Sequence, residues 1–171
     1  MSIICPACKH ENLAGVDTCE QCHQDLRHES LPRPTEGLQK RIMSESMNQL
    51  NPATPILALP ETPALDVIRI MQKRQMGSAL IVNEKGYLLG IFTDRDVLQK
   101  IGFEDSDLAE LPIHTLMTLD PVALHGDDSI AYALNKMSVG GFRHIPIVKD
   151  GRATGIITVK DVFHYLCRPE A

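Results

Sequence analysis

Two sets of residues in this sequence have the types and spacing to do chemistry. Near the front, Cys5-Pro6-Ala7-Cys8 and Cys19-Glu20-Gln21-Cys22 form two Cys-x-x-Cys pairs separated by ten residues. Four soft thiolates so arranged suit the tetrahedral coordination of a structural Zn²⁺. Few apolar residues surround them, so residues 1–26 cannot fold on a core of their own. A bound metal must supply the stability, on the order of 10 kcal/mol for such peptides. The competing reading is two redox pairs or free thiols; against it, neither pair opens a helix within a strand-helix-strand pattern. His10 and His23 stand nearby, but with four cysteines at hand they read as surface histidines.

The second set occurs twice. Gly90-Ile91-Phe92-Thr93-Asp94-Arg95-Asp96 returns as Gly155-Ile156-Ile157-Thr158-Val159-Lys160-Asp161. Each copy is a short apolar β-branched run after a glycine, followed by Thr-x-x-Asp. That is the pattern of a strand running into a helix closed by a capping box. The match extends outward, with Pro55 against Pro121, Met71 against Met137, Ile81-Val82 against Ile147-Val148 and Gly86 against Gly151. The offset falls from 66 to 65 between Val82 and Gly86, where Asn83-Glu84-Lys85 stands against Lys149-Asp150. A hairpin turn tolerates that length difference.

The elements that position these residues follow from patterning. In the first copy, Thr62-Pro63 is an N-cap followed by a proline at the first helical position, and Leu65, Ile68, Met71 and Met76 form an apolar stripe. Ser78–Val82 and Leu88–Thr93 read as strands, and 94–101 as a closing helix. In the second copy Asp127-Asp128-Ser129 opens a helix with Ala133, Leu134 and Met137 on its buried side. His144–Val148 and Ala153–Thr158 are strands, and Val159–Leu166 is the last helix. Ahead of both copies, Leu38, Ile42, Met43, Met47 and Leu50 recur at helical spacing. Before that helix, His28–Pro34 reads as a proline-stiffened linker. The boundaries are then 1–26 for the metal segment, 27–54 for a linker with a short amphipathic helix, 55–103 and 121–168 for the two copies, and 104–120 between them. The fold class is α/β (α+β): two β-α-β-β-α units stacked sheet to sheet, because each small sheet would otherwise leave one face exposed.

Both regions resemble known families. Residues 3–26, with Leu26 as the trailing apolar position, are similar to a short zinc ribbon. Residues 53–167 resemble a tandem of CBS domains, a Bateman pair. The resemblance rests on the two Gly-h-h-Thr-x-x-Asp junctions, on Ile145-Pro146-Ile147-Val148, and on Leu116-Met117-Thr118-Leu119-Asp120-Pro121. It implies clefts between the paired units that bind AMP, ADP, ATP or S-adenosylmethionine. In those clefts a ribose diol would be held by the carboxylates of Asp96 and Asp161. Phosphates would be met by Thr93, Arg95, Thr158 and Lys160 with helix N-terminal amides, and by Arg143-His144 at the mouth of the second copy. A bland account stays open: each Thr…Asp pair is explained by capping alone, and Arg95 and Lys160 by a solvated helix face. The copies also differ, with Gly77-Ser78 opposite Arg143-His144, Leu80 opposite Pro146 and Asp94 opposite Val159.

A net charge of −5, no signal-like segment after Met1 and no apolar run of about 18 residues point to a soluble, cytoplasmic protein without a membrane span. No catalytic constellation, P-loop or GxGxxG is present, so the expectation is a non-enzyme; Cys167 reads as half-buried. The leading function is a regulatory sensor that binds an adenosine compound, signals to an unidentified protein partner and forms a homodimer through the helices 65–76 and 130–137. The alternative is a structural dimerising adaptor that recruits a protein through the ribbon. A weaker alternative is a DNA- or RNA-binding factor. The ribbon's Lys9 against Glu11, Asp17, Glu20 and Asp25, a local charge of −3, speaks against nucleic acid.

Overall fold

A computed structural model describes residues 2–13, 16–26, 37–100 and 110–167. The expected linker at His28–Pro34 and most of the inter-copy stretch lie outside the described residues. In chain order come β1 (Ser2–Ile4), β2 (Glu11–Leu13), α1 (Gly37–Ser44), a single 3-10 turn over Met47–Leu50, β3 (Leu57–Ala58), α2 (Ala64–Arg74), β4 (Ser78–Val82) and β5 (Leu88–Thr93). They are followed by α3 (Asp94–Lys100), a second 3-10 turn over Ile113–Thr115, β6 (Thr118–Leu119), α4 (Ile130–Gly140), β7 (His144–Lys149), β8 (Arg152–Thr158) and α5 (Val159–Leu166). The chain packs into two compact bodies. One comprises residues 1–52, 124–145 and 157–171, the other 53–123 and 146–156, so the second copy contributes to both.

The body containing the first copy is built on a four-stranded sheet in the order β3-β4-β5-β6. β4 is Ser-Ala-Leu-Ile-Val and every residue of it is buried, the mark of a strand covered on both faces. β3 pairs with it in parallel and β5 antiparallel, with Ser78 opposite Thr93 and Leu80 opposite Ile91. Phe92, Ala79, Ile81 and Ile113 pack with Ala64, Val67 and Met71 of α2 on one side of the sheet. The stripe of α2 that enters this core is therefore Ala64, Val67 and Met71; Leu65 and Ile68 are only half-buried. The helix also begins one residue later than expected. Pro63 occupies the cap position without a side-chain bond, and the first amide, that of Ala64, donates to the Leu111 carbonyl at 2.8 Å. A backbone partner from a distant segment replaces the hydroxyl that local patterning assigned to Thr62.

Sequence periodicity did not reveal how the two copies interlock. β6 precedes the second copy, yet it pairs with the first copy's junction strand, Thr118 opposite Ile91. Reciprocally, Ala53, which precedes the first copy, bridges Ile156 of β8 in the second. Ile156 is the counterpart of Ile91, and Ala53 lies one residue from the position that the offset of 66 sets opposite Thr118, so the exchange recurs in both copies to within one residue. The hairpin tips repeat it: the Leu88 amide donates to the Gly151 carbonyl and the Ala153 amide to the Gly86 carbonyl, both at 3.1 Å. Leu80, Ile91 and Ile156 close a small core where these strands meet.

In the other body, Ser129 caps α4 by accepting from the Tyr132 amide, and Gly141 ends that helix in the left-handed conformation at φ 64°. The amphipathic segment expected over residues 38–50 is real but broken: α1 stops at Ser44, and Met47 and Leu50 are buried from the 3-10 turn. α1 is fastened to α5 by Tyr165, whose hydroxyl donates to Glu45 Oε2 at 2.8 Å and whose ring lies 4.8 Å beneath the Arg41 guanidinium. Cys167, expected to be half-buried, is exposed. No described helix is long and apolar enough to cross a membrane.

Candidate functional site

The front segment is organised by its cysteines. β1 and β2 pair antiparallel with Ile3 opposite Asn12, and each Cys-x-x-Cys turn that follows a strand or loop uses one backbone pattern. The Lys9 amide donates to the Cys5 carbonyl and the Cys5 amide to the His10 carbonyl; the His23 amide donates to the Cys19 carbonyl and the Cys19 amide to the Gln24 carbonyl. Both turns need a left-handed residue, and Lys9 (φ 62°) and His23 (φ 59°) supply it. His10 and His23 thus serve the backbone of the turns. Asn12 lies in β2. Its buried amide donates to the His10 carbonyl and accepts from the Glu20 amide, tying one knuckle to the other.

All four sulfurs lie within 4.8 Å of one another. Cys5 and Cys22 stand 3.6 Å apart, as do Cys8 and Cys19. The edge of a tetrahedron with metal–sulfur bonds of about 2.3 Å is about 3.8 Å, so the donor set fits a four-coordinate soft cation. Left as thiols, Cys8, Cys19 and Cys22 differ. Burial pushes Cys8 up, and Cys22 up to about 11. At Cys19 burial acts in the same direction but is overcome by the amides of Cys22 and Gln21, and the group falls to about 6. A dication held there would remove that disparity by favouring the thiolate at all three. Leu26 is buried against the cluster, as its trailing position implied. Tyr132 packs on it, Ser129 Oγ donates to the Ala7 carbonyl, and Asn135 Nδ2 donates to Gln24 Oε1 at 3.0 Å.

The two repeated junctions share a frame. At the first, Asp96 Oδ2 accepts from the Thr93 amide at 2.8 Å and the Thr93 hydroxyl at 2.7 Å. At the second, Asp161 Oδ2 accepts from the Thr158 amide at 2.7 Å and hydroxyl at 2.8 Å. The expected capping box is complete at α5. The helix-opening amides also match: Asp94 donates to the Gly77 carbonyl and Val159 to the Arg143 carbonyl, each at 2.9 Å. The second bond brings Arg143, and His144 next to it, beside Thr158–Asp161; the first copy has Gly77-Ser78 there. Arg95 and Lys160 are exposed in the first turns of α3 and α5.

The junctions differ at the other carboxylate oxygen. Asp96 Oδ1 meets the Lys100 ammonium at 2.7 Å and the Thr118 hydroxyl at 3.5 Å, and Lys100 also donates to the Leu116 carbonyl at 2.7 Å. Asp161 Oδ1 has no hydrogen-bond or ion-pair partner among the described residues, and the residue is half-buried. Lys100 was not among the residues singled out from sequence. The signal lay in comparing the copies, where Lys100 stands opposite Tyr165. Burial works to raise the Asp96 carboxyl, but Lys100 and Thr93 together overcome it and hold the group below the ordinary carboxylate range. A depressed folded-state pKa contributes stability above the unfolded-state value, and that contribution disappears as pH falls through the folded-state value. Denaturant unfolding below about pH 4 is therefore expected to show a steeper loss of stability for the natural chain than for Lys100→Met. Parallel pH profiles would contradict the pairing.

The chain is similar to known proteins over both copies. A family model described as CBS domain matches residues 41–102 and 113–168. The CBS domain-containing protein CBSCBSPB5 of Arabidopsis thaliana is 32% identical over 116 residues, covering 67% of this chain and 21% of the plant protein, so the chain spans about a fifth of that relative's length. An uncharacterized 17.7 kDa protein of Acidianus ambivalens is 26% identical over 70% of this chain and 72% of its own. Among solved structures, the CBS domain pair of protein MJ0100 in complex with 5-methylthioadenosine and S-adenosyl-L-methionine superposes with a TM-score of 0.63 at 24% identity, covering 71% of this chain and 98% of that one. CBSX2 in complex with AMP gives a TM-score of 0.60 at 20% identity, covering 70% and 94%.

Proposed function

The chain belongs to the CBS-domain family, and from that premise we propose that it is a regulatory module that binds an adenosine-containing ligand and reports its presence to a protein partner. The observation that carries this reading is the second junction. Asp161 holds one oxygen on Thr158 and leaves the other for a ribose diol, while Lys160 and the neighbouring Arg143 and His144 supply positive charge and donors for phosphate or another anionic group. Thr93, Arg95 and Asp96 form the corresponding seat in the first copy. Structural neighbours seen with AMP, with 5-methylthioadenosine and with S-adenosyl-L-methionine support an adenosyl ligand over other small molecules.

A route for the signal lies within one body. A ligand at the N-terminus of α5 biases the helix whose other end is tied through Tyr165 to Glu45. The Glu45 carbonyl in turn accepts from the Ile130 amide, next to Ser129, and Ser129 donates to Ala7 in the cysteine segment. In this reading the cysteines hold a structural Zn²⁺, the ribbon offers the partner surface, the chain works in the cytoplasm as a homodimer, and it catalyses no reaction of its own. A structural dimerising adaptor is the second reading, favoured by Asp96, whose oxygens are both already engaged. Calorimetric titration with AMP, ATP and S-adenosylmethionine separates the two. Saturable heat with one of them is expected for the sensor; absence of heat and of any thermal shift with all three would leave the adaptor.

A further inference from the structure

We infer that Lys100 is a built-in occupant of the first junction, so that the module takes a single adenosine ligand, at the second. The inference rests on the ligand reading above and adds which seat is open and what closes the other. A carboxylate can recognise a diol only through oxygen lone pairs that no internal donor has taken. At Asp96 those lone pairs are spent. Oδ2 carries the two Thr93 donors, and Oδ1 carries the Lys100 ammonium at 2.7 Å with the Thr118 hydroxyl at 3.5 Å. The ammonium is itself fixed on its far side by the Leu116 carbonyl at 2.7 Å. A ligand entering there would have to break a charge-assisted bond to an aspartate whose side chain is only 9% exposed.

Each donor that closes Oδ1 in the first copy is missing from the second. Opposite Lys100 stands Tyr165, sixty-five residues on, and in the place of Thr118, which pairs with Ile91, stands Ala53, which pairs with the matching Ile156. Ala53 has no hydroxyl, and the Tyr165 hydroxyl is directed to Glu45 at 2.8 Å. The two Thr donors that orient the carboxylate are the same in both copies, so the difference at Oδ1 comes from these two positions. Lys100 thus acts as a specificity determinant: its ammonium takes the place on Asp96 that a diol takes on Asp161.

The test is the stoichiometry of AMP and S-adenosylmethionine binding, by calorimetry, for the natural chain, Asp161→Asn, Lys100→Met, Lys100→Gln and Lys100→Arg, each checked for cooperative unfolding. One equivalent is expected for the natural chain, weakened roughly tenfold to a hundredfold in Asp161→Asn. A second equivalent is expected in whichever of Lys100→Met and Lys100→Gln stays folded, with a return to one in Lys100→Arg. A merely structural lysine would alter the melting temperature and leave the stoichiometry alone, and that outcome overturns the inference, as do two equivalents in the natural chain. If the natural chain binds neither compound, the sensor reading fails. The open seat at the second junction is then overturned with it, and the Lys100 variants decide only the first: an equivalent gained upholds Lys100 as its occupant and none gained rejects it.

Discussion

Replacing Cys22 with serine, or stripping the metal with a chelator, is expected to dissolve the front segment while the two CBS copies stay folded. The buried apolar residues there are Cys5, Ala7, Cys19, Cys22 and Leu26, so three of the five are candidate metal ligands and the apolar core is mostly sulfur-bearing. β1 and β2 are three residues each, far too short to persist as an isolated pair. The lost term is the metal-binding free energy, on the order of 10 kcal/mol, against which the Asn12 bridge and two left-handed turns count for little. α4 keeps its cap, because Ser129 Oγ still accepts from the Tyr132 amide after its partner at Ala7 has gone. Hydrogen exchange reads this directly. The amides of Ile3, Cys5 and Cys19 should lose protection together in Cys22→Ser, while those of Leu80 and Phe92 keep theirs. Protection of the front amides in metal-free protein would show that the segment folds without its ion.

The second large effect is expected at the motif's glycine. A Cβ on Gly90 would stand 2.5 Å from Met117 Sδ and 2.9 Å from the Thr118 carbonyl. The thioether can swing aside, but the carbonyl belongs to β6, which pairs with β5 at this point. Gly90 is therefore demanded by the strand exchange that locks the copies, independently of any ligand. Gly90→Val should expel β6 and cost about 2–4 kcal/mol, combining overpacking with lost ladder bonds. Urea unfolding measures it, and a cost below about 0.5 kcal/mol would mean that β6 contributes nothing to the fold.

What could be read from the residues divides along a physical line. Ser78–Val82, Leu88–Thr93 and Val159–Leu166 appear with the bounds that periodicity gave them, because a buried β-branched run and a capping box are both local signals. The cysteine cluster was equally legible, since ligand spacing within a knuckle is set by one turn of backbone. Long-range choices were not. Nothing near Thr118 indicates that it pairs with the preceding copy, and nothing near Ser129 indicates that its hydroxyl serves both α4 and Ala7. The stripe of α2 was misjudged by one position because Leu65 and Ile68 outrank Ala64 and Val67 in hydrophobicity, yet the smaller side chains fit closer to the sheet. Asp96 and Asp161 look identical in the motif. They part only through Lys100 and Tyr165, which lie outside it and became informative once the structure showed where their side chains end.

Native mass spectrometry of the intact chain, incubated with AMP or with S-adenosylmethionine, reads metal and ligand on the same molecule. The expected species carries one zinc ion and one adenosine compound per chain, and loses the compound but keeps the metal in Asp161→Asn. A chain that retains its metal and binds neither compound would contradict the account, leaving a zinc-held adaptor in place of a sensor.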